Sequence, residues 1–298
     1  MATPDARPIV VGVDGSESAL DAAAWAAGEA ALHDVPLRIV HGFAESVLRV
    51  PTGLWGTDTE DRLRSHASLL VREAAATTRA AAPAVAVSTA VVRDFPLPLL
   101  AGESRDASYV VVGAAGHSAV GDMVAGSTAV SLVARAQAPV AIVRGIAPTE
   151  RNDRLVIVGV DGSPLAAAAL RVGVQEATVR RGRLLAVHVV HHHPSRSTQS
   201  ATGDTSNGHG LLTDALSGWR HRFPKLRIED QLMVGHPGGV LVRLSNRAGL
   251  IVVGARGLGG FTGMLLGSVS QTLLHHAHCP LVTVSPASSQ RVQHDGVT

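Results

Sequence analysis

A chain of 298 residues with 46% apolar, 17% charged and 3% aromatic residues is long enough for two domains with cores of Val, Ile, Leu and Ala, and too apolar for disorder across its bulk. A formal net charge of +2 with no contiguous basic block argues against nucleic acid as a partner, and no apolar run approaches the ~18 residues that span a bilayer. The single cysteine, Cys279, excludes an intrachain disulfide and an all-cysteine zinc site.

The opening MATPDARP lacks the charged-then-apolar layout of a signal peptide, so a cytoplasmic protein is expected. In chain order, short β-branched runs predict strands at 9–13, 37–43, 85–92, 109–113 and 140–143. Longer Ala- and Leu-rich stretches predict helices at 18–32, about 57–82, 97–107 and 127–136. Runs such as VVV suggest strands covered on both faces, as in a parallel sheet with crossover helices. The polar stretch 145–154, with Pro148, reads as a linker.

The same blocks then return in the same order. PIVVGVDGSESALDAAAW is answered by LVIVGVDGSPLAAAALRV, LRIVHGF by LLAVHVV, and YVVVGAAGHSAVGDMVAGS by LIVVGARGLGGFTGMLLGS. The chain is a tandem duplication of one domain, assigned to residues 1–145 and 154–288. The second copy departs most at 191–210, whose Ser, Thr, Gly and Asn content predicts a mobile surface loop before a shorter helix near 211–222.

In an open α/β sheet, ligands settle beyond the C-terminal strand ends, so the residues just after each strand carry the candidates. After the first strand of each copy come Asp14-Gly15-Ser16 and Asp161-Gly162-Ser163. These carboxylates suit ribose hydroxyls or an adenine amine, and the equally weighted alternative is that Asp and Ser cap the next helix. After the fourth strand the spacing is Gly113-x2-Gly116-x9-Gly126-Ser127, then Gly254-x2-Gly257-x9-Gly267-Ser268. Spaced glycines let backbone N–H groups approach an anion, and the Gly-Ser pair opens a helix whose dipole favours negative charge. A plain flexible connection is the alternative. A Walker P-loop is excluded because Lys225, the only lysine, lies far from either loop, and no GxGxxG follows a first strand.

With these motifs the whole chain, tail and linker excepted, resembles a tandem-domain universal stress protein. The resemblance rests on G-x2-G-x9-G-[ST] twice, the strand-one aspartate twice and the closing HAHCP run. It implies an α/β fold of two doubly wound domains, each a five-stranded parallel sheet of order 3-2-1-4-5 flanked by helices. It implies ATP, with Mg²⁺ accompanying the triphosphate, bound where strands one and four diverge. Asp14 and Asp161 would meet the nucleoside, and Gly42 and Val189, which follow the strand-two histidines, would offer their backbones to adenine. The ribose and phosphates would lie on Gly113, Gly116, Gly126 and Ser127, and on Gly254, Gly257, Gly267 and Ser268. It also implies self-association through the terminal strands.

The halves differ within the glycine loops. Arg256 of the second stands beside the expected phosphates, whereas the first has Ala115 there and carries Asp122, so the second site is expected to bind ATP more tightly. His191, His192 and His193 lack companion ligands, and His275, His276, His278 and Cys279 fall where a helix gives way to a buried strand, so no metal site is assigned to either group. The expected function is ATP binding in a stress-response regulator without efficient turnover and without catalytic residues. The alternatives are a slow ATPase or nucleotide-transferring enzyme, and an interaction module that binds no nucleotide.

Overall fold

The computed structural model describes residues 6–44, 58–115, 127–145, 152–190, 198–258 and 265–294; of residues 127, 152, 153, 198–205, 293 and 294 it describes the backbone alone. The chain divides into two compact units, Met1–Ile146 and Ala147–Thr298, a division that falls inside the predicted linker.

The described part of unit one runs β1 (Ile9–Gly12), α1 (Glu17–His33), β2 (Leu37–Gly42), α2 (Thr59–Ala81), β3 (Val87–Val92), α3 (Pro96–Glu103), β4 (Tyr109–Gly113), α4 (Ser127–Arg135) and β5 (Val140–Val143). All strand pairs are parallel, in the order β3-β2-β1-β4-β5. Unit two repeats the plan with β6 (Asn152–Gly159), α5 (Pro164–Val179), β7 (Arg183–Val190), α6 (Thr198–Arg222), β8 (Arg227–Val234), α7 (Pro237–Ser245), β9 (Ala248–Gly254), α8 (Ser268–His276) and β10 (Leu281–Val284). Its order is β8-β7-β6-β9-β10, again parallel, and α9 (Pro286–His294) follows. The five-strand order that the family resemblance implies holds in each unit.

Parallel strands need a crossover helix at every step, which covers both sheet faces and explains the unbroken apolar runs. Ile9, Val10 and Val11 of β1 are at most 1% exposed, and β6 buries Val156, Ile157 and Val158 completely. The helices pack on this sheet through small residues. Helix α1 buries Ala19, Ala22, Ala23, Ala26, Ala27 and Ala30, a stripe at helical spacing that brings backbone close to the sheet. Helix α5 approaches closer still at Gly173, where a methyl group would fall 2.3 Å from Val158 Cγ2.

Three local expectations change. The stretch read as a mobile loop over 191–210 is helical from Thr198 onward, in the first half of α6; residues 191–197 lie outside the described residues. Its composition suggests flexibility, but Gly208, Leu212 and Leu216 form a buried stripe at four-residue spacing. A side chain at Gly208 would strike Leu232 Cδ1 at 2.6 Å, so this glycine serves close packing on β8. Helix α3 ends at Glu103, four residues before its predicted end; at its C-cap the Ser104 side chain donates to Ala101 O at 2.7 Å and accepts from Gln137 N at 2.9 Å. Helix α9 was not anticipated. Ser285 and Ser288 each accept from the other's backbone N–H, at 3.1 and 2.8 Å, a reciprocal cap ahead of Pro286 in the first helical turn.

Candidate functional site

In each unit the chain leaves β1 (or β6) towards one side of the sheet and β4 (or β9) towards the other, so a crevice opens between their C-terminal ends. The residues singled out by spacing cluster at this end.

In unit two the local chemistry starts at Gly162, whose φ of +82° is a left-handed conformation that side chains rarely adopt. This turn lets the Asp161 carboxylate fold back: Oδ1 accepts from Ser163 N at 2.9 Å, while Ser163 Oγ caps α5 by accepting from Ala166 N at 3.1 Å. The capping role thus falls to the serine and leaves the second carboxylate oxygen for other work. That oxygen, Oδ2, accepts from Leu258 N at 3.2 Å, which ties the turn after β6 to the glycine loop after β9. The contact requires Gly257, because a Cβ there would lie 2.2 Å from Asp161 Oδ2.

The two ends of that glycine loop are pinned together. The Ala255 carbonyl accepts from Gly267 N at 2.8 Å and from Ser270 Oγ at 2.7 Å, and Ala255 N donates to Val284 O at 2.8 Å. Gly267 is the N-cap of α8 and supplies no capping side chain, so the first-turn N–H groups are left to face the crevice. The loop's middle, residues 259–264, lies outside the described residues.

Together these elements enclose a cavity of about 530 Å³, within the 300–1,000 Å³ usual for small-molecule sites. All six residues proposed for unit two line it: Asp161, Val189, Gly254, Gly257, Gly267 and Ser268. Val160, Val187, Leu241 and Val253 make its walls largely apolar, and Arg256 also borders it.

A residue that the motifs passed over supports the strand-one turn. His188 Nδ1 lies 2.7 Å from the Val160 carbonyl, and because a carbonyl only accepts, this nitrogen carries the proton. His41 Nδ1 meets the Val13 carbonyl in unit one at the same distance. The paired VHG and VHV segments were the available signal. Equally unforeseen is a leucine from the helix between strands two and three: Leu70 and Leu211 lean on Gly15 and Gly162, within 2.8 and 3.0 Å of where a Cβ would be.

Unit one repeats the turn with differences. Gly15 has φ +85°, and Asp14 Oδ1 accepts from both Ser16 N (3.0 Å) and Ser16 Oγ (2.6 Å), while Ser16 Oγ caps α1 through Ala19 N. Gly113 ends β4 under the first turn of α1, where a Cβ would meet Ser18 Oγ at 2.5 Å, and Gly42 leaves room for the Asp94 carbonyl. Gly116, Gly126 and Asp122 lie outside the described residues, and Ser127 is seen only as the backbone start of α4. The structure therefore brings Asp14, Gly42 and Gly113 to the C-terminal strand ends of unit one without describing the rest of its glycine loop.

Comparison with known proteins gives one consistent picture. The model of the universal stress protein family matches residues 6–144 and again 154–285. The chain is 34% identical over 289 residues to universal stress protein Rv2005c of Mycobacterium tuberculosis, covering 92% of this chain and 95% of that protein. A crystal structure of a universal stress protein from Archaeoglobus fulgidus superposes with a TM-score of 0.68 at 18% identity, covering 94% of this chain and 98% of the other, a likeness of fold. A universal stress protein solved in complex with cAMP aligns with 44% of this chain and 95% of its own length at 27% identity and a TM-score of 0.35.

Proposed function

We propose, from the premise that this chain belongs to the universal stress protein family as a tandem pair of its domains, that it is an ATP-binding regulatory protein of the stress response that binds nucleotide without efficient turnover. The observation that carries the reading is the unit-two cavity, which joins a carboxylate at the end of β6 to an uncapped helix N-terminus at the end of β9. The remaining lone pairs of Asp161 suit ribose hydroxyls, the Val187 and Val189 wall suits a base, and the α8 N-terminus with Ser268 suits phosphate. Unit one would hold a second nucleotide through Asp14, Gly42, Gly113, Gly116, Gly126 and Ser127.

Magnesium would arrive with the triphosphate. Among the described lining residues Asp161 is the one carboxylate, and both its oxygens already accept backbone N–H groups. The same count disfavours hydrolysis, which needs a base or water-orienting group beside the terminal phosphate. The cytoplasm and self-association complete the proposal. Among the described residues no helix is long and apolar enough to cross a membrane. The self-association proposed runs through the terminal strands, β5 (Val140–Val143) and β10 (Leu281–Val284).

Isothermal titration with Mg·ATP, paired with a phosphate-release assay, tests the reading. The expected result is two nucleotides per chain and turnover well below ~1 per second. Gly257→Ala should remove one site, because its methyl group displaces the Asp161 carboxylate. Absence of binding, or turnover in the usual enzyme range, overturns the proposal.

A further inference from the structure

Opposite charges that share a cavity normally pair, yet Arg256 and Asp161 border the same 530 Å³ space and, among the described residues, form no ion pair. Each oxygen of Asp161 accepts from a backbone N–H, of Ser163 and of Leu258. The Arg256 guanidinium has no partner among the described residues. Its backbone is held against the α8 N-terminus, since a Cβ on Gly267 would lie 3.3 Å from Arg256 Cα. The other basic side chain on the cavity, His188, has its Nδ1 committed to the Val160 carbonyl.

An arginine on the cavity wall whose backbone abuts an uncapped helix N-terminus can complete a paired donor set: the first-turn N–H groups take one phosphate, and the guanidinium fork reaches the oxygens of the next. We infer that Arg256 is the residue by which unit two distinguishes a nucleoside polyphosphate from a monophosphate. The inference rests on the nucleotide reading above and adds a specificity determinant to it. A monophosphate satisfies the helix N-terminus and leaves the guanidinium in solvent, whereas a triphosphate engages both. Unit one carries Ala115 at the equivalent position, two residues after the strand-four glycine, and lacks this discrimination.

The test compares ATP with AMP by titration calorimetry on the full chain in an Asp14→Ala background, which restricts binding to unit two. Arg256→Ala should weaken ATP about tenfold or more, the scale of one charge-assisted contact, and leave AMP within about twofold. The salt dependence of ATP binding should flatten. Arg256→Lys should restore part of the difference, since charge returns without the fork, and Ala115→Arg in the otherwise native chain should raise the ATP preference of unit one. If Arg256→Ala weakens both ligands equally, or neither, Arg256 does not read phosphate number while the nucleotide site stands. If the native chain binds neither ATP nor AMP, both readings fall together. Circular dichroism of each variant guards against a folding defect, and Arg256→Gln, which keeps bulk and polarity, must reproduce the alanine result.

Discussion

Asp14 and Asp161 stand at equivalent positions, and the Oδ1 of each accepts from the backbone N–H of the serine two residues on. Asp14 Oδ1 also takes the Ser16 hydroxyl, and Asp161 Oδ2 reaches the glycine loop at Leu258 N. A third acidic residue illustrates how burial acts one side chain at a time. The Asp21 carboxyl, partly buried on α1, is raised above the ordinary carboxylate range by desolvation and then by Glu17 one turn earlier. A carboxylate raised in the folded state favours its neutral form, so its contribution to stability is present at low pH and is lost as pH rises through the folded value. Asp21→Asn should therefore raise the unfolding free energy measured by urea titration at about pH 7 by a few tenths of a kcal/mol, the scale of an exposed like-charge pair, and the gain should vanish near pH 3. An equal gain at both pH values would place the effect outside this titration. Arg38 shows the opposite sense of coupling: its two hydrogen bonds to Glu103, at 2.8 and 2.9 Å, raise its pKa and tie β2 to the end of α3.

Helices α1 and α5 are copies of one element, yet their glycines answer to different constraints. Gly28 in α1 is exposed, with nothing near the space a methyl group would take, while Gly173 in α5 is buried against Val158 of β6. Gly28→Ala should stabilise by about 0.5–1 kcal/mol through helix propensity. Gly173→Ala should destabilise by about 1–3 kcal/mol despite the same propensity gain, because a branched side chain on a central strand has no room to move away. Chemical denaturation of the pair checks this, and shifts of the same sign would refute the packing account. The sequence of α1 and α5 shows two glycines in helices; only the neighbours across the helix–sheet contact separate them. Helix α6 makes the same point over a longer span, since the composition of 191–210 signals a loop while the stripe at Gly208, Leu212 and Leu216 signals a helix once β7 and β8 lie beneath it.

At the scale of the chain, duplication repeats more than the fold. Ser104 and Ser245 each turn back on their own helix and accept from the backbone N–H of Gln137 and His278, both at 2.9 Å. The strand-two histidines likewise bond the strand-one carbonyls at 2.7 Å in both units. The proposed self-association belongs to this scale, and sedimentation velocity of the full chain over a hundredfold concentration range should show a species heavier than one 298-residue chain. A single monomeric species throughout would remove that part of the proposal.

Much of this molecule is legible in its amino-acid order alone. Repeated blocks in fixed order imply two copies of one fold, and unbroken Val and Ile runs between helical stretches imply parallel strands buried on both faces, because both patterns are local consequences of burial. The spacing of Asp161, Gly254, Gly257 and Gly267 marked residues that line one cavity, since turns after parallel strands all emerge at the same end of the sheet. Contacts between residues far apart in the chain were beyond such reading. That Gly257 makes room for the Asp161 carboxylate, that His188 holds the Val160 carbonyl, and that Arg256 pairs with no described residue of the cavity it shares with Asp161 are matters of distance across strands. Only packing sets those distances.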